Sequence, residues 1–232
     1  MKDNSLYKLG GFASIIVGIS YVVIGITTVL LPPNLAGVPE AQSPFMFFEA
    51  NRGLLMTQYW AFTIGAIFAL AMIPAVSATV QHLNEGWVRW TSSLATLGFV
   101  AAILDNYWAI VVTPARAAMY TTGSEVVRAA LSIPGEPQVL DVQGWLASGG
   151  VGLWVLVIGL LALRGKVFPK GLAYLWIIGA FTYFMSLAAS VIPDLYLSGV
   201  VIAVSSIGAV LAPVGYGWMG WWLWNKAQEI AP

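Results

Sequence analysis

The chain has 232 residues, of which 59% are hydrophobic and only 9% are charged, whereas an average soluble domain is about 25% charged. This number of charged residues is too small to cover the surface of a soluble protein of this size. Most of the surface of this protein must therefore face lipid. The formal net charge of zero provides no basic field for nucleic acid, and the absence of cysteine excludes disulfides, thiolate metal sites and a cysteine nucleophile.

Long uncharged intervals predict an all-α integral membrane protein, a bundle of six transmembrane helices that forms one domain over residues 1–232. Each interval can hold a helix of about 20 residues, enough to cross about 30 Å of hydrocarbon. The predicted spans are 11–32, 54–78, 91–113, 145–164, 171–192 and 198–222. The runs are apolar throughout, which argues against barrel strands with alternating polar and apolar residues.

The distribution of lysine and arginine predicts that both termini are cytoplasmic, in a protein of the plasma membrane. With the N-terminus inside, the inner side carries Lys2, Lys8, Arg89, Arg164, Lys166, Lys170 and Lys226. The outer side carries Arg52, Arg116 and Arg128. The tryptophans from Trp218 to Trp224 then form an aromatic belt at the inner interface, at the end of the sixth span.

Two long outer loops are predicted, over residues 33–53 and 114–144. The first contains "SPFMFFEANRG", whose Phe45, Met46, Phe47 and Phe48 should not face open water. The second contains "TTGSEVVRAALSIPG", which predicts a short interfacial helix over 124–132 with Ser124 as its cap and Arg128 facing water. We expect both loops to pack on the outer end of the bundle; the alternative is a gated surface that covers a ligand.

One carboxylate, Asp105, interrupts the third span in the stretch "AAILDNYWAIVV". It lies about 12 Å along a helix from Thr113, near the midplane on the outer side. A charge at that depth costs about 2.5–3.5 kcal/mol on insertion scales. Small residues from Gly98 to Ala109 share its side of the helix at spacings of three and four, so Asp105 is expected to face the bundle interior.

Polar residues of the other spans fall at a similar depth and predict a polar layer around Asp105. The candidates for binding a ligand or carrying a proton are Asp105, Tyr21, Gln58, Thr63, Tyr183, Ser205 and Ser206. Arg52 and Arg116 lie at the outer boundary as possible charge partners. The carboxylate is either a hydrogen-bonding group between helices or a proton carrier, ligand anchor or general acid, and the sequence leaves both interpretations open.

The spans lack the residues of most catalytic and cofactor sites. His82 is the only histidine, which excludes a bis-histidine haem site, and no predicted span contains a lysine for a Schiff base. No second carboxylate in the spans completes an acid–base pair with Asp105. We therefore expect no catalytic residues, no metal and no cofactor.

Two segments carry a family resemblance. "LLALRGKVFPKGLAYLWIIGAFTYF" and the first span, "KLGGFASIIVGISY", resemble an uncharacterised prokaryotic six-span family known only by a domain-of-unknown-function label. The matching residues are Arg164, Pro169, Leu172, Gly179 and Tyr183. The resemblance implies a six-helix membrane fold and implies neither an activity nor a site residue.

Three functions remain open on the sequence. The first is a non-enzymatic membrane protein that contacts membrane lipids and binds a lipid-like ligand, a partner membrane subunit or a second copy of itself; the 13% aromatic content favours it. The second is a proton-coupled transporter or channel that uses Asp105, with Pro213 as a break in the sixth span. The third is a membrane enzyme that acts on an apolar substrate, with Asp105 as its acid.

Overall fold

The computed structural model describes residues 4–32, 43–132, 141, 143–192 and 199–230, without the side chains of residues 199–206, 209 and 230. Within these ranges the elements are helices, with no strand. They are α1 (Ser5–Leu30), α2 (Pro44–Ala50), α3 (Arg52–Val80), α4 (Glu85–Thr122), α5 (Glu125–Leu131), α6 (Val151–Gly165), α7 (Lys170–Val191) and α8 (Gly199–Ile230). A π-helical turn, Trp145–Gly150, leads directly into α6.

Five described helices are long and apolar enough to cross a membrane: α1, α3, α4, α6 together with its preceding π-helical turn, and α7. The first five predicted spans each coincide with one of them. The all-helical class is confirmed, and these helices support a membrane protein. The predicted sixth span, 198–222, falls on α8, of which part of the side chains lies outside the description.

The long helices form a closed ring. α1 packs between α3 and α8, and the ring continues through α4, α6 and α7 back to α8. Small residues bring α1 and α8 into backbone contact: a Cβ added at Gly220 would lie 2.7 Å from the carbonyl oxygen of Gly11. Nearby, the hydroxyl of Ser14 donates a hydrogen bond of 2.7 Å to the backbone oxygen of Tyr216. This close contact determines where α8 stands relative to α1.

Within the ring, a small polar cluster holds α3, α4 and α6 together. The indole of Trp154 on α6 is fully buried, and its Nε1 donates to the Oγ of Ser77 on α3 at 3.1 Å. Ser77 in turn shares a hydrogen bond of 2.7 Å with Ser92 on α4. The fully buried Met72 and Leu172 belong to the same apolar core. The cluster thus satisfies the indole N–H in a dry interior.

The third long helix departs from the prediction at its outer end. The predicted span is 91–113, but α4 continues through Pro114 for about two further turns. Proline removes one helical hydrogen bond, and the added turns gain packing against α2. Ala117 is fully buried, and the ring centroid of Tyr120 lies 5.5 Å from that of Phe45. The predicted loop boundary at residue 114 is therefore wrong.

The helix α2 lies in the first predicted outer loop, where the sequence predicts no helix. The side chain of Ser43 caps it by accepting a hydrogen bond of 3.3 Å from the backbone N–H of Phe45. Phe48 is only 2% exposed and packs in a second, smaller core with Leu31 and Leu55. The expectation that the apolar residues of this loop are covered is confirmed for Phe48, whereas Met46 is exposed.

The short helix predicted over 124–132 is present as α5. Ser124 occupies the N-cap position, but its side chain makes no capping hydrogen bond there, so that detail of the prediction is wrong. Arg128 is exposed as expected and also reaches back to the end of α4. It donates to the backbone oxygens of Tyr120 and Thr121 at 3.1 and 3.3 Å. A cation at these terminal carbonyl groups stabilises the end of α4.

Candidate functional site

Three tyrosine hydroxyls from three helices meet inside the bundle. The hydroxyl oxygens of Tyr21 on α1 and Tyr183 on α7 are 2.8 Å apart, and those of Tyr183 and Tyr216 on α8 are 2.9 Å apart. The rings of Tyr21 and Tyr216 stack with centroids 5.4 Å apart and planes inclined by 18°. We call these three residues the tyrosine triad; it joins α1, α7 and α8 through their side chains.

The tyrosine triad lies near the middle of the bundle along its axis. Tyr21 and Tyr183 each follow a lysine, Lys8 and Lys170, by thirteen residues, or about 20 Å of helix. Side chains on a helix point back toward its N-terminus, so the hydroxyls lie a few ångströms closer to the lysines than their own backbones do. In a hydrocarbon layer of about 30 Å this places the hydroxyls near the midplane.

An apolar groove opens beside the tyrosine triad, between α7 and α8 with a contribution from α6. It is lined by Val155, Leu175, Trp176, Gly179, Thr182, Tyr183, Gly208, Leu211, Ala212, Gly215 and Tyr216. Its cavity volume is about 40 Å³. The ring of Trp176 stands edge-on to that of Tyr216, with centroids 6.2 Å apart and planes at 69°. We call this feature the α7–α8 groove.

The tyrosine triad carries one more hydroxyl proton than it uses internally. Three hydroxyl groups bring three protons, and the two hydrogen bonds between them consume two. In the described part of the chain, no further acceptor lies within hydrogen-bond distance of these hydroxyls. The third proton belongs to whichever hydroxyl donates to neither of the others. Tyr183 and Tyr216 line the α7–α8 groove, and Tyr21 does not.

The structure brings together two of the residues predicted for the polar layer, Tyr21 and Tyr183. The side chain of Gln58 instead donates a hydrogen bond of 2.8 Å to the hydroxyl of Thr28 on α1. Thr63 is buried and donates to a backbone oxygen of its own helix at 2.9 Å. These four described side chains therefore belong to separate hydrogen-bonded groups.

Asp105 lies on α4 with its Oδ1 atom buried. Its pairing with another span stays a prediction, and the side chains of two candidates, Ser205 and Ser206, are outside the described set. Of the possible charge partners, Arg52 is exposed at the start of α3 and Arg116 is half-buried. Arg116 follows Asp105 by eleven residues, or about 16 Å along α4.

Tyr216 and Trp176 belong to the site although the sequence does not single them out. Tyr216 precedes the predicted tryptophan belt, so its segment is assigned to the inner interface. The sequence feature that could have identified Tyr216 is the pair of glycines, Gly215 and Gly217, on either side of it. Glycines in a membrane helix indicate close contact with another helix. A tyrosine at such a contact is a candidate for an interior hydrogen bond.

The comparisons with known proteins place the chain in a family without assigning it an activity. No curated protein and no solved structure matches it. One family description matches residues 16–226, which include the whole tyrosine triad and the α7–α8 groove. The match confirms the resemblance to a family known only by a domain-of-unknown-function label. The chain belongs to the family described as "Domain of unknown function (DUF4386)".

Proposed function

We propose that this protein is a six-span component of the plasma membrane that binds a lipid-like ligand in the α7–α8 groove. The observation that carries the proposal is the spare hydroxyl proton of the tyrosine triad beside an apolar groove. An unused donor inside hydrocarbon is costly because no water is present to accept it. A membrane lipid supplies both the missing acceptor and the apolar chain that would fill the groove.

The contact between the two ends of the chain supports an even number of spans. The side-chain amide of Asn4 donates a hydrogen bond of 3.2 Å to the backbone oxygen of Ala227, so the start of α1 and the end of α8 lie at the same end of the bundle. With α8 as the sixth span, both termini share one side. The excess of lysine and arginine on that side supports a cytoplasmic location for both termini.

The chemistry of the groove favours binding over catalysis. Among the described lining residues, the polar side-chain groups are the hydroxyls of Tyr183, Tyr216 and Thr182 and the indole N–H of Trp176. The Thr182 hydroxyl already donates to the backbone oxygen of Gly179 at 2.7 Å. Tyrosine hydroxyls titrate near pH 10 in water and exchange protons poorly near neutral pH. They serve better as fixed hydrogen-bond donors that orient an apolar molecule.

The proposal is tested by filling the groove with a side chain. A Cβ added at Gly179 has no other atom within 4 Å, so Gly179→Leu extends into open space on the groove wall. A matched control is Gly217→Leu on α8, where an added Cβ also meets nothing within 4 Å. Gly217 does not line the groove, so its substitution should leave ligand binding unchanged.

Both variants and the parent protein are extracted from membranes in a lipid-preserving polymer and examined by native mass spectrometry. We expect the parent and Gly217→Leu to retain a tightly held lipid after detergent exchange, and Gly179→Leu to lose it. Equal lipid retention in all three proteins would overturn the proposal. A polypeptide that co-purifies with the parent and is lost only in Gly179→Leu would also overturn it, by identifying the occupant as a partner subunit.

A further inference from the structure

We infer that three lysines at one end of the bundle, Lys166, Lys170 and Lys226, bind the phosphate of an anionic phospholipid. They surround the rings of Phe168 and Trp222, and we call these five residues the lysine cluster. The lysine cluster does not line the α7–α8 groove, so it is a second site, separate from the one in the proposed function.

The lysine cluster joins the turn between α6 and α7 to the last turns of α8. The ring of Phe168 stands edge-on to that of Trp222 with centroids 4.8 Å apart, and the Nζ of Lys226 lies 4.8 Å from the centroid of the Trp222 ring. Lys166 and Lys170 are each two residues from Phe168, so their Cα atoms lie within about 7 Å of its Cα. The flexible side chains of the three lysines can therefore reach one phosphate together.

The end of the bundle that carries the lysine cluster has an excess of positive charge. Its described cations are Lys8, Arg89, Arg164, Lys166, Lys170 and Lys226, and its described carboxylates are Glu85 and Glu229. The opposite end is balanced in its described residues, which are the cations Arg52, Arg116 and Arg128 and the carboxylates Glu49, Glu125 and Asp141. Anionic head groups are therefore attracted to one end of the molecule.

The two carboxylates at this end do not neutralise the lysine cluster. Glu85 forms an ion pair with Arg89. Glu229 is exposed and acts electrostatically on Lys226 without forming an ion pair. Within the described part of the chain, no carboxylate lies within ion-pair distance of an ammonium group of the lysine cluster. A phosphate would supply the missing negative charge and accept hydrogen bonds from the lysines.

The lysine cluster lies at the depth of phospholipid head groups. Lys170 precedes Tyr183 by thirteen residues, or about 20 Å of helix, and the Tyr183 hydroxyl lies near the midplane. The hydrocarbon ends about 15 Å from the midplane, and the head groups extend to about 20–22 Å. Lys170 therefore stands among the head groups when the helix crosses the membrane.

Apolar surface beside the lysine cluster favours a lipid over a soluble phosphate. Tyr174 follows Lys170 by one turn on the same face of α7 and is 54% exposed. Trp221 and Trp224, on the same stretch of α8 as Trp222, are also exposed. These rings can contact the acyl chains of a lipid whose phosphate is held by the lysines.

The test compares phosphatidylglycerol, which is anionic, with phosphatidylcholine, which carries no net charge. The full chain is placed in nanodiscs that contain equal amounts of both lipids, and the lipid that stays bound on release is identified by native mass spectrometry. We expect the parent protein to retain phosphatidylglycerol in preference to phosphatidylcholine. Lys166→Gln, Lys170→Gln and Lys226→Gln should each lower this preference about fivefold, the effect of one cation near a lipid surface.

Arg89→Gln is the matched control. It removes one cation from the same end of the bundle, but Arg89 is already paired with Glu85, so the preference for phosphatidylglycerol should stay. An equal fall in Arg89→Gln and in the three lysine variants would reveal a general effect of net charge and overturn the inference. Equal retention of both lipids by the parent protein would overturn it as well.

Two further measurements identify the occupant and its place. Gly179→Leu fills the α7–α8 groove and leaves the lysine cluster unchanged, so it should keep the preference; its loss there would place the anionic lipid in the groove and overturn the inference. An excess of inorganic phosphate at constant ionic strength should not displace phosphatidylglycerol, and displacement would identify a site for soluble phosphate instead. If Gly179→Leu loses no lipid while the lysine variants lose their preference, the proposed function fails and this inference stands.

Discussion

A single serine hydroxyl provides the hydrogen-bond acceptor for the indole N–H of the most buried tryptophan. Ser77 accepts the indole N–H of Trp154 at 3.1 Å and pairs with Ser92 at 2.7 Å. Ser77→Ala leaves the indole donor of a fully buried side chain without its acceptor. We expect the free energy of unfolding to fall by about 1–3 kcal/mol, measured by denaturant or thermal unfolding in detergent micelles.

The matched control is Ser93→Ala, because the exposed hydroxyl of Ser93 bonds only to the backbone oxygen of Arg89 in its own helix. Its effect should stay within about 0.5 kcal/mol. Trp154→Phe removes the indole donor, so adding Ser77→Ala to it should cost less than in the parent protein. Equal costs of Ser77→Ala in the two backgrounds would contradict the assigned role of the indole hydrogen bond.

At the residue scale, the sequence predicts how deep each side chain lies along its helix. It does not predict which side chains hydrogen-bond to one another. A rise of 1.5 Å per residue places Tyr21, Tyr183 and Asp105 in the interior from the sequence alone. Which of them meet depends on how each helix rotates against its neighbours. That rotation is set by contacts far apart in the chain, such as Gly11 against Gly220. The hydroxyl pair of Tyr21 and Tyr183 therefore becomes visible only in the fold.

At the scale of the helix pairs, a single methyl group would disturb the backbone contact between α1 and α8. A Cβ at Gly220 would lie 2.7 Å from the backbone oxygen of Gly11 and 3.0 Å from the backbone nitrogen of Ile15. Backbone atoms cannot turn aside as a flexible side chain can, so Gly220→Ala must separate the helices. We expect it to lower the free energy of unfolding by about 1–3 kcal/mol.

Gly217→Ala provides the comparison on the same helix. A Cβ there meets nothing within 4 Å, and alanine favours a helix over glycine by about 1 kcal/mol. Its unfolding temperature in detergent should equal or exceed that of the parent protein, while that of Gly220→Ala should fall. A fall of equal size in both variants would show that the loss comes from glycine itself and not from the α1–α8 contact.

The hydropathy of the sequence predicts the positions of the long helices better than it predicts the residues at which they end. The predicted spans coincide with long helices because apolar runs of about 20 residues have few alternatives in a bilayer. The end of α4 was missed because the added turns beyond Pro114 are stabilised by α2, whose Phe48 is buried. That packing joins distant segments, and it leaves no periodic signal in either segment alone.

At the scale of the whole molecule, the positions of Asn4 and Ala227 bear on whether the number of membrane crossings is even or odd. Asn4 and Ala227 are joined by a hydrogen bond of 3.2 Å at one end of the ring. An even number of spans follows if both ends emerge from the same face of the membrane. Five helices among the described residues can cross a membrane, and with α8 as a further span the proposed number is six.

Single cysteines test this arrangement cleanly, because the chain contains no cysteine of its own. Ser5→Cys and Gln228→Cys mark the two ends, and Ser132→Cys marks the segment after α5; all three positions are exposed. A membrane-impermeant maleimide should label Ser132→Cys in spheroplasts. The two end positions should react only in inverted vesicles, because we propose that the lysine-rich face is cytoplasmic. Labelling of Ser5→Cys and Gln228→Cys from opposite sides would require an odd number of spans and defeat the six-span proposal. Labelling of both ends in spheroplasts would keep six spans and reverse their orientation.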